Sequence, residues 1–289
     1  MKITIEDKSG FCYGVVRVIG IAEELLQQGE EVWCLGQIVH NEAEVSRLTE
    51  LGMKFIEHKD LENLHDVKLL IRAHGEPPST YEIAKRNNLR IIEGTCPIVK
   101  RLQKKILESY TQQDNTNLTI IIFGKENHPE VIGLNGQTNN QSYIISTPEE
   151  SIEVPLKKDV LLYSQTTMDA VEFDKIASIL SNRLAEFGGN LILNKTICGH
   201  VSHRQPGLIE FARENDIIIF VGGKKSSNAK VLFEVCKNTN SNSFFISDVG
   251  ELKKEWLEKA QSVGICGATS TPAWQLEQVA KKLKDLSKS

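Results

Sequence analysis

GFCYGV at residues 10–15, EGTCPI at 93–98 and KTICGH at 195–200 decide how this chain reads. Each brings a cysteine, Cys12, Cys96 or Cys198, to the end of a short apolar run, just before a segment patterned as a helix. The cysteines stand 84 and 102 residues apart, so three thiols arrive at three equivalent loops and point to one shared ligand. Three is one short of a closed four-ligand site, and an open coordination position is where a metal centre does chemistry.

The spacing recurs at a second level. After Cys12 come VWCLGQIVHN, ending at His40 and Asn41, and VKLLIRAHG, with His74 near its end. After Cys96 come LTIIIFGKENHPE, with His128 and Glu130, and DVLLYSQTT, with Thr166 and Thr167. After Cys198 come DIIIFVGGKKSSN, with Ser226, Ser227 and Asn228, and QSVGICGATSTP, with Ser270. Each third is therefore an apolar-strand and amphipathic-helix module carrying a cysteine and two polar strand-end loops, a repeat of architecture rather than of residue identity. The reading gives an α/β fold of three similar βα modules, over residues 1–96, 97–196 and 197–289, in a pseudo-threefold arrangement.

Strands are expected near 2–5, 32–35, 68–73, 118–123, 160–163, 216–221 and 261–266. Helices are expected near 14–28, 41–51, 78–88, 97–112, 169–187, 204–214, 226–238 and 272–286. Pro97 and Pro272 suit first helical turns, where a missing N–H is no loss. In parallel sheets ligands collect beyond the carboxyl ends of the strands, and every polar residue named above falls at that edge.

A net charge of −4 over 289 residues argues against a protein that coats nucleic acid or anionic membrane. No apolar run approaches the roughly 20 residues of a spanning helix. The start, MKITIEDKSG, reads as a charged strand rather than a signal peptide, and six cysteines in that context imply a reducing cytoplasm. Cys34 and Cys266 lie inside expected strands and Cys236 on an amphipathic helix, where a thiol behaves as a small hydrophobe.

Absence of any CxxC pair removes the zinc-finger reading. An iron–sulfur cluster with one open iron, a catalytic zinc held by three distant cysteines, and unligated thiols remain as readings of Cys12, Cys96 and Cys198. Gly222 to Asn228 resembles a phosphate cradle, with N–H groups at a helix N-terminus plus hydroxyl and amide donors, but it lacks the Walker order. His40 and His74 add two donors to the same edge. Glu130 in a dry cavity gains a raised pKa by desolvation and becomes a usable proton donor; the alternative is a helix N-terminal glutamate stabilised by the dipole, and position alone does not separate the two.

The ordered set GFCYGV, IVHN, AHG, TCP, HPEV, SQTT, TIC…RQ, SSN and STP resembles the 4-hydroxy-3-methylbut-2-enyl diphosphate reductase family, across essentially the whole chain. The resemblance implies the last step of the non-mevalonate isoprenoid pathway: reductive dehydroxylation of that diphosphate to isopentenyl and dimethylallyl diphosphate. It implies one [4Fe–4S] cluster per chain on Cys12, Cys96 and Cys198, at the centre of a three-module trefoil. It implies a substrate site of His40, His74, His128, Thr166, Ser226, Ser227, Asn228 and Ser270, and a catalytic set of Glu130, Thr166 and His128, with Glu130 and Thr166 as proton relay. The partners it implies are the small-molecule allylic diphosphate and a ferredoxin or flavodoxin electron donor, with no nucleic acid and no membrane insertion.

The sequence departs from the family pattern at Val201 and His203, where threonine and asparagine are usual, at Asn127 before His128, and at Tyr13 after Cys12. Two rivals stay in view: a redox-neutral hydro-lyase, which needs no reductant, and a zinc-stabilised diphosphate-binding protein, which keeps its affinity without iron.

Overall fold

The computed structural model describes residues 1–112, 116–202, 204–258 and 260–287. Twelve strands are found among them: β1 Lys2–Ile5, β2 Val32–Leu35, β3 Lys54–Ile56, β4 Lys68–Ile71, β5 Arg90–Glu93, β6 Leu118–Phe123, β7 Tyr143–Ile145, β8 Asp159–Ser164, β9 Asn190–Leu193, β10 Ile217–Val221, β11 Ser243–Ile246 and β12 Ser262–Gly267. They form three four-stranded sheets, which makes the fold the expected α/β class.

The chain divides into two compact units, residues 1–55 with 203–289, and residues 56–202. The second unit contains the sheet β7-β6-β8-β9 and the parallel pair β4–β5. The first contains the sheet β11-β10-β12-β1, also parallel throughout, in which the N-terminal strand takes the place that β9 has in the other. Both complete sheets thus run second, first, third, fourth. The order reverses between their first and third strands, β6 and β8 in one and β10 and β12 in the other, and the crevice beyond such a reversal is where parallel sheets receive ligands. Phe123 is level with Ser164, and Val221 with Gly267, so the two loops at each crevice leave from the same height.

Central strands are buried on both faces, which is why β6 and β10 are unbroken apolar runs, LTIIIF and IIIFV. On one face of β6, Ile121 and Phe123 pack with Leu162 against Phe173, Ile176 and Leu180 of the helix Ala170–Ala185. On the other, Ile120 and Ile122 pack with Tyr163 against Leu102 and Ile106 of the helix Pro97–Gln112 and Val131 and Leu134 of the helix Pro129–Asn135. The other unit repeats the layering. Ile217, Ile219 and Ile265 face Leu276 and Val279 of the helix Ala273–Leu286, while Ile218, Phe220 and Cys266 face Leu208, Leu232 and Cys236. Each fully buried aliphatic side chain here contributes about 1.5–3 kcal/mol of transfer free energy, which anchors the strand ends that carry the polar loops.

Five strands lie outside the sequence expectation: β3, β5, β7, β9 and β11. All five are sheet edges. Paired on one side and partly open to solvent, four of them read as exposed-to-intermediate patterns, such as YII and NLIL, rather than buried runs. The helix Pro129–Asn135 is absent from the expected helices, although Glu130 had a reading as a helix N-terminal carboxylate; His-Pro-Glu begins it.

Candidate functional site

The predicted residues fall into two sets, one in each unit. In the unit of residues 56–202, His74 follows β4 in a tight turn closed by Gly75 N–H donating to the Arg72 carbonyl at 3.0 Å. Gly75 has φ +72°, a backbone conformation that favours glycine, and a Cβ there would lie 2.6 Å from Gln103 Nε2, so the glutamine side chain would have to shift. Cys96 N–H donates to the Ala73 carbonyl at 3.0 Å, which fastens the cysteine loop beside the histidine turn. The rings of His74 and His128 meet edge to face at 5.3 Å.

His128 caps the helix Pro129–Asn135, its Nδ1 accepting from Glu130 N–H at 3.1 Å. A nitrogen that accepts a backbone N–H carries no proton, so this imidazole offers its other nitrogen, Nε2, as the donor. Glu130 is 2 % exposed. Its carboxyl receives both donors of one residue, Thr166 N–H at 2.7 Å and Thr166 Oγ1 at 2.8 Å. Burial is the largest influence on Glu130 and pushes its pKa up to about 7, against the two Thr166 bonds, which pull it down. The Thr166 carbonyl in turn accepts from Cys198 N–H at 2.8 Å. Glu130, Thr166 and Cys198 are therefore one connected piece.

In the other unit, Ser226 caps the helix Ser227–Thr239, accepting from Ala229 N–H at 3.2 Å, and its hydroxyl lies 3.0 Å from that of Ser270. Asn228 Nδ2 donates to Thr269 Oγ1 at 2.9 Å, and Cys12 N–H donates to the Thr269 carbonyl at 3.2 Å. A Cβ on Gly223 would lie 2.2 Å from the His40 carbonyl oxygen, so the cradle backbone and the His40 loop touch where only glycine fits. Cys12, His40, Ser226, Asn228 and Ser270 are thereby assembled around one helix N-terminus, whose N–H groups and dipole favour an anion. Lys224 and Lys225 are exposed, and Lys224 pairs with Glu251 at 2.7 Å, so the buried donors of this loop, Ser226 and Asn228, are neutral.

Ser227 opens its helix, but its side chain, that of Val201, and all of His203 lie outside the described residues. Tyr13 is 66 % exposed and Asn127 is exposed, so neither departure intrudes on the groups above. Three residues of these clusters escaped sequence reasoning. Thr269 joins Cys12 to Asn228. Fully buried Gln165 binds Lys125 N–H at 3.1 Å and Thr167 Oγ1 at 2.8 Å, stapling the two loops at the β6–β8 crevice. Gln103 donates to the Glu76 carbonyl at 3.3 Å. The available signals were the position of Thr269 beside Ser270, and a polar Gln103 on the otherwise apolar stripe Val99, Leu102, Ile106.

Cys12, Cys96 and Cys198 are half-buried at strand-end loops, each followed at once by a helix, whereas Cys34, Cys236 and Cys266 are fully buried among apolar groups. The first three are therefore exposed enough to serve as ligands, whereas the last three are enclosed by apolar side chains.

Parallel sheets of this kind, with polar loops at their carboxyl ends, place the chain among α/β proteins. The family model described as LytB protein matches residues 3–284, and the chain belongs to that family, whose members are iron–sulfur enzymes. It is 45 % identical over 284 residues to the 4-hydroxy-3-methylbut-2-enyl diphosphate reductase of Bacteroides fragilis, covering 98 % of each chain. It is 44 % identical to that of Chlorobaculum parvum, covering 97 % of this chain and 95 % of the other. A solved structure of (E)-4-hydroxy-3-methyl-but-2-enyl diphosphate reductase, the terminal enzyme of the non-mevalonate pathway, matches with TM-score 0.72 at 32 % identity, covering 99 % of this chain and all of that one. The E-1-hydroxy-2-methyl-but-2-enyl-4-diphosphate reductase of Plasmodium falciparum matches with TM-score 0.83 at 29 % identity, covering 100 % and 88 %. This chain is a reductase of that kind, acting on a small diphosphate. No helix among the described residues is long and apolar enough to cross a membrane.

Proposed function

We propose that the chain converts 4-hydroxy-3-methylbut-2-enyl diphosphate, two electrons and two protons into isopentenyl or dimethylallyl diphosphate and water, with Cys12, Cys96 and Cys198 holding one [4Fe–4S] cluster. When bound on Cys12, Cys96 and Cys198, the cluster would supply single electrons and Lewis acidity. His40, His74, His128, Ser226, Ser227, Asn228 and Ser270 bind and orient the diphosphate. Neutral N–H and O–H donors suit that task, since hydrogen bonds to an ionised acceptor are short and strong without a buried countercharge. Glu130 holds a proton near neutral pH and passes it through the Thr166 hydroxyl toward the departing oxygen. The cytoplasm, a ferredoxin or flavodoxin as donor, and the modules 1–96, 97–196 and 197–289 belong to the same reading.

The observation that carries it is Glu130: a buried carboxyl with pKa about 7 bonded through both oxygens to Thr166, in a family of iron–sulfur reductases. Iron and acid-labile sulfide analysis with Mössbauer spectra, on protein purified without oxygen, tests it. Four irons per chain, one of them changed by added substrate, is the expected result. Zinc, or a cluster blind to substrate, would sink the reading. Cys96→Ser is expected to abolish the cluster's absorption.

A further inference from the structure

Arg204 opens the helix Arg204–Arg213 and is 5 % exposed, a guanidinium taken almost wholly out of water. Its Nη2 donates to Glu6 Oε2 at 3.0 Å and to the Gly267 carbonyl at 3.0 Å, and lies 3.5 Å from Ser9 Oγ; its Nη1 donates to the Lys8 carbonyl. Ser9 completes the knot, donating to Glu6 Oε2 at 2.6 Å and accepting from Gly267 N–H at 2.8 Å. Glu6 N–H donates to the Ile265 carbonyl at 2.9 Å. Residues 6–9 are thus fixed to the last residues of β12 by charge, by hydroxyl and by backbone at once.

Each strand of this knot leads directly to a group of the site. Past Ser9, Gly10 turns the chain at φ +125°, a conformation other residues rarely adopt, and Cys12 follows two residues later. Past Gly267 come Thr269 and Ser270, where Thr269 receives the Cys12 N–H and Ser270 meets Ser226. We propose that Arg204, acting with Glu6, is a positioning residue that locks the Cys12 loop and the Thr269–Ser270 loop into one register, so that a cluster ligand and a diphosphate contact are set together.

The physical argument is one of alternatives. Replacing a buried ion pair with apolar side chains of similar volume is often neutral for stability, so the fold alone does not require this arrangement. A planar guanidinium serves several oxygens in fixed directions, and here two of those oxygens are the backbone carbonyls of the two loops. An ammonium in its place is a single compact charge that cannot bridge them in the same geometry.

This rests on the reading of Cys12 as a cluster ligand and Ser270 as a diphosphate contact. The test uses the full-length holoenzyme purified without oxygen, as wild type, Arg204→Lys and the charge-free pair Glu6→Gln with Arg204→Met. Three quantities are compared: the rate of iron release to a chelator, the KM and kcat with the diphosphate, and the melting temperature. Faster iron release and a higher KM together, each by roughly 10–100-fold as for other groups behind metal ligands, are expected in the double variant, with a smaller parallel change in Arg204→Lys. A lowered melting temperature with both rate and KM unchanged overturns the proposal, and so does a change in only one of the two. Wild-type protein without a cluster would instead be the failure of the underlying functional reading.

Discussion

The Glu130–Thr166 corner and the Ser226–Ser270 corner both lie where strand order reverses, yet their chemistry is opposite. At the first, a carboxyl is enclosed and its pKa raised to about 7. At the second, the named polar groups are hydroxyls and an amide at a helix N-terminus, while the two lysines of the loop face solvent. The first arrangement disfavours a fixed negative charge on the protein; the second welcomes one on a ligand. Sheets of one topology therefore produce a corner that encloses a carboxyl and a corner that gathers neutral donors at a helix N-terminus, and the difference comes from which side chains desolvation acts on.

The largest way to break the contrast is Glu130→Gln, which keeps size and hydrogen-bonding atoms but carries no transferable proton. A loss of roughly 10²–10⁴-fold in kcat is expected, with iron content and KM near wild type. Steady-state kinetics beside an iron assay check this, and normal turnover would remove Glu130 from proton transfer. The pH dependence sharpens the same point. A donor must be protonated, so kcat is expected to fall as pH rises through about 7.

Stability carries the same signature. Glu130 has its ordinary value of 4.5 when unfolded and about 7 when folded, so the native chain holds a proton that the unfolded chain has lost between those values. Unfolding free energy must then decline as pH rises across that window and level off above it. Glu130→Gln abolishes the decline, and chemical denaturation at several pH values should show the variant gaining on wild type by on the order of 3 kcal/mol from pH 4.5 to 7.

Ser226→Ala probes the other corner. It removes the helix cap, at about 1 kcal/mol, and a donor from the anion site, so KM should rise about tenfold, or about 1.4 kcal/mol, with kcat little changed. A kcat-only effect would erase the distinction between the corners. Gly20→Ala is the smallest expected effect and the control. A Cβ there meets nothing within 4 Å on the helix Tyr13–Gln27, so a gain of up to about 1 kcal/mol and unaltered kinetics are expected.

How much of this was legible without coordinates follows from where each signal originates. Buried central strands must be continuously apolar, so β6, β8, β10 and β12 stood out, as did the polar loops that end them. Edge strands such as β7 and β9 are half-exposed, and nothing local marks them. The switch from turn to helix at His128 was equally hidden, because a seven-residue helix has too few positions to display a period.

By itself, then, the sequence determined the α/β class, the three cysteine loops and the inventory of donors at the strand ends, because these depend on local pattern. Only the tertiary structure decided that Glu130 and Thr166, 36 residues apart, share two hydrogen bonds, that Thr269 links Cys12 to Asn228, and that Arg204 ties residues 6–9 to Gly267. Those facts rest on desolvation and on contacts between distant segments. Chain order cannot specify them, since a pKa or a bridging guanidinium is a property of the surroundings that folding assembles.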